Sequence, residues 1–256
     1  MSSNPYAAPK AAVADAIISV QGNFVPGGRS VPAGHGWLWI VEAWNIFKRQ
    51  PWMWIGMLII TFLIIVAIAL IPLLGSLLLS LAWPIYTAGF AYCSREAEAG
   101  REIELAHLFV GFRERLGTLL AVGAIYLLAS FAVMLVVALF MGVSVFIFFG
   151  GTPDASMAPL TVVLVALIAL ALMLPLAMTI WFAPALVLFQ SYGATQAMRE
   201  SFFACLKNIL PFLVYGVVGL ALFIVAAIPL LLGWFVFFPV MAASVYTCYR
   251  DVFHST

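Results

Sequence analysis

The side chains best suited to chemistry form one charged run, SREAEAGREIELAHLFVGFRER, at residues 94–115. Arg113 and Arg115 stand next to the apolar segment that follows, at the level where lipid phosphates would lie. One interpretation of the run is a docking surface for a cytoplasmic partner or for lipid headgroups. The other is a hydrated loop and helix face without a ligand. The net charge of +1 gives no basic field that would gather nucleic acid, so we predict no nucleic-acid partner.

The sequence lacks the common catalytic and metal-binding patterns. It has no phosphate-binding glycine loop, no Gly-x-Ser-x-Gly and no His-Glu-x-x-His. The separation of Cys93, Cys205 and Cys248 matches no metal-binding spacing, which leaves only a thiol site assembled in space. His107 is interpreted as a solvated or headgroup-facing residue, and His35 and His254 lie in the tails. We therefore predict no catalytic, cofactor or metal site, and no enzymatic activity.

The elements that position these residues are membrane spans. Of the residues 66% are hydrophobic and 8% charged, and the mean hydropathy is +1.17, whereas a soluble domain has about 25% charged residues. A span needs about 20 apolar residues. Six segments qualify: 52–70, 73–93, 116–137, 159–181, 210–228 and 231–249. We predict an all-α multi-pass membrane protein in which six transmembrane helices form three hairpins.

The third and fourth spans are too long for the bilayer. As one helix, residues 116–149 would be about 51 Å long at 1.5 Å per residue, against about 30 Å of hydrocarbon. We expect this hairpin to tilt and to break near Gly142 and Pro175, and the run 158–190, which carries Pro175 and Pro184, to form a kinked helix. The only polar side chains within the spans are hydroxyls, which we expect to bond their own helix or a neighbour: among them Ser130, Thr161, Thr179 and Ser244.

Orientation follows from the basic residues, because Lys and Arg are enriched in cytoplasmic loops. With six spans all 11 of them fall on one side, and Asp154 is the only charge on the other. We therefore place both termini in the cytoplasm and the protein in the cell inner membrane. Residues 1–35 are predicted to be a flexible cytoplasmic tail, because they are rich in Ala, Pro, Gly and Ser. Residues 36–253 form the six-span domain.

Each hairpin is preceded by a segment with helical amphipathic spacing. In the first, Trp37, Val41, Trp44 and Phe47 share the predicted apolar face. The second segment is 101–115, and the third is 193–208 with Ala197, Met198 and Cys205 on its apolar face. We predict three interfacial cytoplasmic helices.

The first and third units also align with each other. Glu42, Arg49 and Gln50 match Glu200, Lys207 and Asn208, and the Ile-Pro-Leu-Leu turn at 71–74 matches the one at 228–231. After a small shift, Pro84, Arg95 and Glu96 match Pro239, Arg250 and Asp251. A divergent parallel repeat and a chance alignment of apolar sequence both explain these matches.

The segment FAPALVLFQSYGATQAMRESFFACLKNILPFLVYG, at 182–216, carries a family resemblance. Its apolar-Pro-apolar step, followed by a helix with Ala197-x-x-x-Ser201, resembles the YciC-like proteins and the membrane domain of glycerophosphodiester phosphodiesterases. Residues 36–253 as a whole resemble a family of uncharacterised bacterial multi-pass inner-membrane proteins. The resemblance implies a membrane domain and no established activity.

Three functional hypotheses follow. The favoured one is a membrane scaffold that binds the lipid bilayer and either a membrane-protein partner or further copies of itself, without catalysis. The alternative is a permease for a small molecule or a lipid, which would use the long kinked hairpin 116–190 as its path. An intramembrane enzyme is the least favoured.

Overall fold

The structure is a computed structural model that describes residues 22–72, 74–150 and 158–255, without the side chains of 143–150, 158–159 and 161. Within these ranges it is helical, apart from one isolated antiparallel bridge between Phe24 and His254. The α-helices in chain order are α1 His35–Phe47, α2 Pro51–Ala69, α3 Leu74–Glu98, α4 Val110–Glu114, α5 Leu116–Gly150, α6 Ala158–Trp181, α7 Ala183–Gln190, α8 Ala194–Lys207, α9 Ile209–Ala227 and α10 Trp234–Phe253. A 3-10 helix, Leu105–Phe109, precedes α4.

Among the described residues, five segments are long and apolar enough to cross a membrane: Pro51–Ala69, Leu74–Glu98, Leu116–Gly142, Val162–Gln190 and Ile209–Ala227. The sixth predicted span corresponds to α10, which is not among them. Its hydropathy is lower because it carries tyrosines and hydroxyl residues and ends with Arg250 and Asp251. Consecutive long helices contact each other in pairs, α2 with α3, α5 with α6 and α9 with α10.

The predicted break in the long hairpin is found at a different residue. The helix α5 runs unbroken through Gly142, and α6 runs through Pro175. The chain breaks instead at Phe182, where the hydroxyl of Ser201 from α8 donates to the Met178 carbonyl at 2.7 Å and accepts from the Phe182 N–H at 2.9 Å. A side chain inserted into the helical hydrogen-bond ladder interrupts the helix. Pro184, one of the two prolines expected to kink this run, lies at the start of α7 and lacks the N–H that would continue α6. The contact with Ser201 comes from a different helix and could not be predicted.

The face of α1 that packs on the bundle is not the face predicted to lie in the membrane interface. Trp39, Ile40 and Ala43 are buried against the bundle; of the predicted interfacial face, Trp37 and Trp44 are exposed and Phe47 is buried. Most positions of α1 are apolar, so the hydrophobic pattern alone allows more than one face. The small Gly36 decides between them, because a Cβ there would lie 2.1 Å from the Pro211 carbonyl oxygen of α9.

The other two predicted amphipathic segments differ from each other. Residues 101–115 form the 3-10 helix and the short α4 in place of one helix. The helix α8 buries Ala197, Met198 and Cys205 as predicted, and adds Ser201 and Ala204.

Residues 22–34, predicted as part of a flexible tail, are held against the end of α10. Val25 donates to the Phe253 carbonyl and Arg29 to the Val252 carbonyl, both at 2.8 Å through their backbone N–H groups. Val31 is buried. The rest of the predicted tail, residues 1–21, and the loop around Asp154 lie outside the described residues.

Most of the core lies at one end of the bundle. There α1, α7, α8 and the last turns of α3 and α10 pack around buried aromatic side chains such as Trp39, Phe182, Tyr249 and Phe253. Arg29, Arg49, Arg95, Arg101, Arg115, Lys207 and Arg250 all make contacts at this end, which we call the basic end.

Candidate functional site

The polar contacts of the basic end are built around Asp251, in the last turn of α10. Its side chain is 12% exposed and accepts three hydrogen bonds: from Arg29 Nη2 at 2.7 Å, from Trp39 Nε1 at 2.8 Å, and from His35 Nδ1 at 2.7 Å. Burial raises the pKa of Asp251, but the bonds from Trp39, His35 and Arg29 and the charge of His35 outweigh it, so the pKa lies below its ordinary value. The carboxylate therefore stays ionised and joins the segment before α1 to the end of α10.

Two side chains at the end of α8 hold the same segment. The amide of Asn208 donates to the Arg29 carbonyl and accepts from the Val31 N–H, both at 2.9 Å. Lys207 Nζ donates to the carbonyls of Gly27 and Gly28 at 2.8 and 3.1 Å. We call this arrangement the first clamp. In it an acid, Asp251, binds the side chain of Arg29, and an amide, Asn208, binds the backbone of Arg29 and of Val31, two positions later.

A second clamp repeats this geometry at the end of α3. Gln50 donates to the Arg101 carbonyl and accepts from the Ile103 N–H, both at 2.9 Å. Arg101 pairs through both Nε and Nη2 with the carboxylate of Glu96, and the Nη2 bond is 2.8 Å. Arg49 donates to the carbonyls of Ala97 and Glu98. The residues that the alignment of the first and third units pairs, Gln50 with Asn208 and Glu96 with Asp251, thus make equivalent contacts.

The clamped segments also share a sequence that the sequence analysis missed. Both read Gly-Arg-x-aliphatic-x-x-x-His, from Gly28 to His35 and from Gly100 to His107. Both glycines have positive φ, +65° and +76°, a conformation that favours glycine. The histidines differ, because His107 Nδ1 accepts from the Glu104 N–H at 3.1 Å, whereas His35 bonds to the clamp acid. The equal spacing was the available signal.

The turn between α7 and α8, where Ser191 meets Arg115, has a different chemistry from the two clamps, and we call it the third junction. Arg115 directly precedes α5, as Gln50 precedes α2 and Asn208 precedes α9, and its Nη2 donates to the Ser191 hydroxyl. Ser191 has φ +57°, the conformation of the two clamp glycines. Residues 182–198 contain no acidic residue. Arg115 thus forms no ion pair with a described residue at this junction, and its neighbour in the chain, Glu114, is exposed.

A set of ion pairs connects the first and second clamps. Arg250 pairs with Glu42 of α1 at 2.5 Å and with Glu98 of α3, and Glu98 also accepts from the Tyr246 hydroxyl at 2.9 Å. Beside these groups is a cleft of about 340 Å³. It is lined by Arg29, His35, Leu38, Trp39, Glu42, Arg250, Asp251 and His254.

The cysteines, and Ser130 and Thr179 among the span hydroxyls, are buried or bond their own helices. Cys93, Cys205 and Cys248 are buried and free. The hydroxyls of Ser130 and Thr179 donate to carbonyls of their own helices, as predicted. In the part of the chain that the structure describes, no three His, Cys, Asp or Glu side chains are close enough to hold a metal ion.

Comparison with known proteins adds one relative. A "Probable inner membrane protein" of Burkholderia thailandensis is 32% identical over 202 residues, which are 75% of this chain and 74% of that protein. No protein-family model and no solved structure matches the chain significantly.

Proposed function

Because the chain belongs to the same family as this inner-membrane protein of Burkholderia thailandensis, we propose that it is a six-span scaffold of the inner membrane. It acts by binding lipids and either a partner membrane protein or further copies of itself, and it has no catalytic role. A more distant kinship with the YciC-like proteins and the glycerophosphodiesterase membrane domains is part of the same proposal, on the strength of residues 182–216.

The contact between the two ends of the chain supports an even number of spans. Phe24 bridges His254, and the Ser255 N–H donates to the Asn23 carbonyl at 3.1 Å. Two chain ends in contact must lie on the same side of the membrane. If all five apolar candidates cross, α10 is the sixth crossing that makes the number even, and its packing against α1, α3 and α9 covers its polar residues.

The charge distribution supports the orientation. The clamp residues Arg29, Arg49, Arg101 and Lys207 and the junction residue Arg115 make their contacts at one end of the bundle. Basic residues next to spans are retained in the cytoplasm. The basic end, with both chain ends, is therefore cytoplasmic in this proposal.

The observation that carries the lipid- and protein-binding role is the division of the bundle into two parts. The clamps make the basic end rigid. In α5, by contrast, an apolar stretch of 18 residues within Leu116–Gly142 has none of its residues buried inside the protein. At the basic end the indoles of Trp44 and Trp52 are exposed, as expected for side chains that lie among lipid headgroups. A rigid cytoplasmic platform and open apolar helices suit binding to membrane components.

The permease alternative has less support. A path along α5 and α6 would need polar groups facing between the helices, but Ser130 and Thr179 bond carbonyls of their own helices. The cleft that the structure shows opens at the basic end and not along this hairpin.

Topology reporters test the six-span arrangement. Fusions at Asp154 should be active outside the cytoplasm, and fusions after Ala99, Gly193 and Thr256 should be active in the cytoplasm. An external signal from Thr256 would leave five spans and overturn the proposal.

Lipid retention tests the role. The full-length protein, purified in mild detergent, should keep bound phospholipid through repeated washing, as measured by native mass spectrometry. Complete loss of lipid without a change in melting temperature would show that lipid binding is not part of its function.

A further inference from the structure

The third junction is an exception to the charge balance of the other two. Arg29 and Arg101 are each neutralised by a clamp acid, Asp251 and Glu96. Arg115 bonds only the neutral hydroxyl of Ser191, and Arg113 makes no ion pair with any described residue. The third junction thus carries two cations that form no ion pair with a described residue; Glu114, which stands between them in the chain, is exposed and forms none either.

Both cations can reach a ligand. Arg113 and Ser191 are exposed and Arg115 is half-buried. A guanidinium carries five N–H donors, so the single bond from Arg115 to Ser191 leaves most of its donors free. Arginine is the side chain best matched to a phosphate group, because its planar fork donates two parallel hydrogen bonds.

The surroundings of the two cations are apolar. Phe112, Leu116 and Leu120 are all exposed and lie on the same stretch of chain, on both sides of the cations. Leu116 begins α5, the longest apolar helix among the described residues. A ligand that neutralises Arg113 and Arg115 and also covers these side chains must be anionic at one end and apolar at the other.

We propose that Arg113 and Arg115, with the hydroxyl of Ser191, bind the phosphate-bearing headgroup of an anionic phospholipid in the cytoplasmic leaflet. This inference rests on the proposed function, because it requires α5 to lie in the membrane with its first turn at the headgroup level. The phosphate accepts hydrogen bonds from the two guanidinium groups, while the acyl chains lie along Leu116 and Leu120. The lipid thereby supplies the negative charge that Glu96 and Asp251 supply at the two clamps.

The test compares two double variants that each lose two cations. Arg113→Gln/Arg115→Gln removes the proposed site, and Lys48→Gln/Arg199→Gln is the matched control. Lys48 and Arg199 lie over the rings of Trp44 and Phe203 and form no ion pair with a described residue. The full-length proteins are placed in nanodiscs of mixed phosphatidylcholine and phosphatidylglycerol, and the ratio of the two lipids that remain bound after extraction is measured by native mass spectrometry.

We expect the wild type and the control to retain phosphatidylglycerol preferentially. The site variant should lose about fivefold in this preference for each charge removed. If the double variant is unstable, the single Arg113→Gln should still show the loss, since the Arg113 side chain makes no ion pair at the described surface.

Three results would overturn the inference. An equal loss in both double variants would mean a diffuse surface charge and no site, and no loss in either would mean no role for these cations. Displacement of the lipid by added inorganic phosphate would assign the two arginines to a free anion. If the wild type retains no phospholipid of either kind, the proposed function itself fails, which is a separate outcome.

Discussion

Replacing Asp251 with Asn tests whether the first clamp holds the bundle together. The carboxylate is 12% exposed and joins Arg29, His35 and Trp39, which all precede or lie on α1, to the end of α10. Asparagine keeps the shape and one acceptor oxygen but removes the charge. The arginine would then lie without a carboxylate at a mostly buried position.

The expected cost lies between two limits. Removing one member of a buried ion pair costs about 3 to 5 kcal/mol, and exposed pairs contribute about 0 to 1 kcal/mol. Arg29 is 31% exposed, so water would compensate part of the loss. We therefore expect Asp251→Asn to lower the free energy of unfolding by about 2 to 3 kcal/mol, which corresponds to a fall of roughly 5 to 10 °C in melting temperature.

The assay is the melting temperature of the purified protein in one detergent at pH 7.5, followed by the loss of monodisperse protein on gel filtration. Glu42→Gln is the control, because Glu42 is 42% exposed and its partner Arg250 keeps Glu98. The control should lose less than about 1 kcal/mol. A fall for Asp251→Asn no larger than that of the control would show that the clamp does not stabilise the bundle.

Three further changes test other parts of the structure. Gly36→Ala should lower the melting temperature by a few degrees, which corresponds to a loss of about 1 to 3 kcal/mol in the free energy of unfolding, because its Cβ would lie 2.1 Å from the Pro211 oxygen. Gly34→Ala is the control and should be neutral, because a Cβ there has no atom within 4 Å. Equal effects would mean that α1 and α9 are less closely packed. Asn208→Leu should lower the free energy of unfolding by about 2 to 4 kcal/mol, because the Arg29 carbonyl and the Val31 N–H lose their partner at a buried site. Gln50→Leu should lower it less, because its site is more exposed. The opposite order in chemical denaturation would contradict the clamp geometry. Burial lowers the pKa of His254, so its neutral ring contributes stability that is present above about pH 6.5 and is lost as the pH falls through the lowered pKa. His254→Phe keeps the ring and should melt at a temperature that varies less than that of the wild type between pH 7 and 5, and identical pH profiles would refute the assignment.

Composition and run length predicted the helical class and five of the long apolar segments, because burying a helix in lipid requires a continuous apolar sequence. They did not predict which face of α1 packs inward, since an almost wholly apolar helix has no unique stripe. The break at Phe182 lies beside Pro184, which the sequence marked as a possible kink, but its position also depends on Ser201, a residue of another helix. The first clamp needs contacts between residues more than 200 positions apart. The alignment of the first and third units paired its acid and amide with those of the second clamp, whereas the repeated Gly-Arg spacing was a signal left unused.

The contact of residues 22–34 with α10 has a consequence for how the chain is made. This segment leaves the ribosome before any span, but the acid that it binds, Asp251, is synthesised only after α9 and most of α10. Until then the Arg29 guanidinium and the Trp39 indole N–H lack their carboxylate, and α1 can pack on α9 but not on α10. The second clamp lies within residues 49–103 and can form earlier, so loss of the last turn of α10 removes the first clamp but not the second.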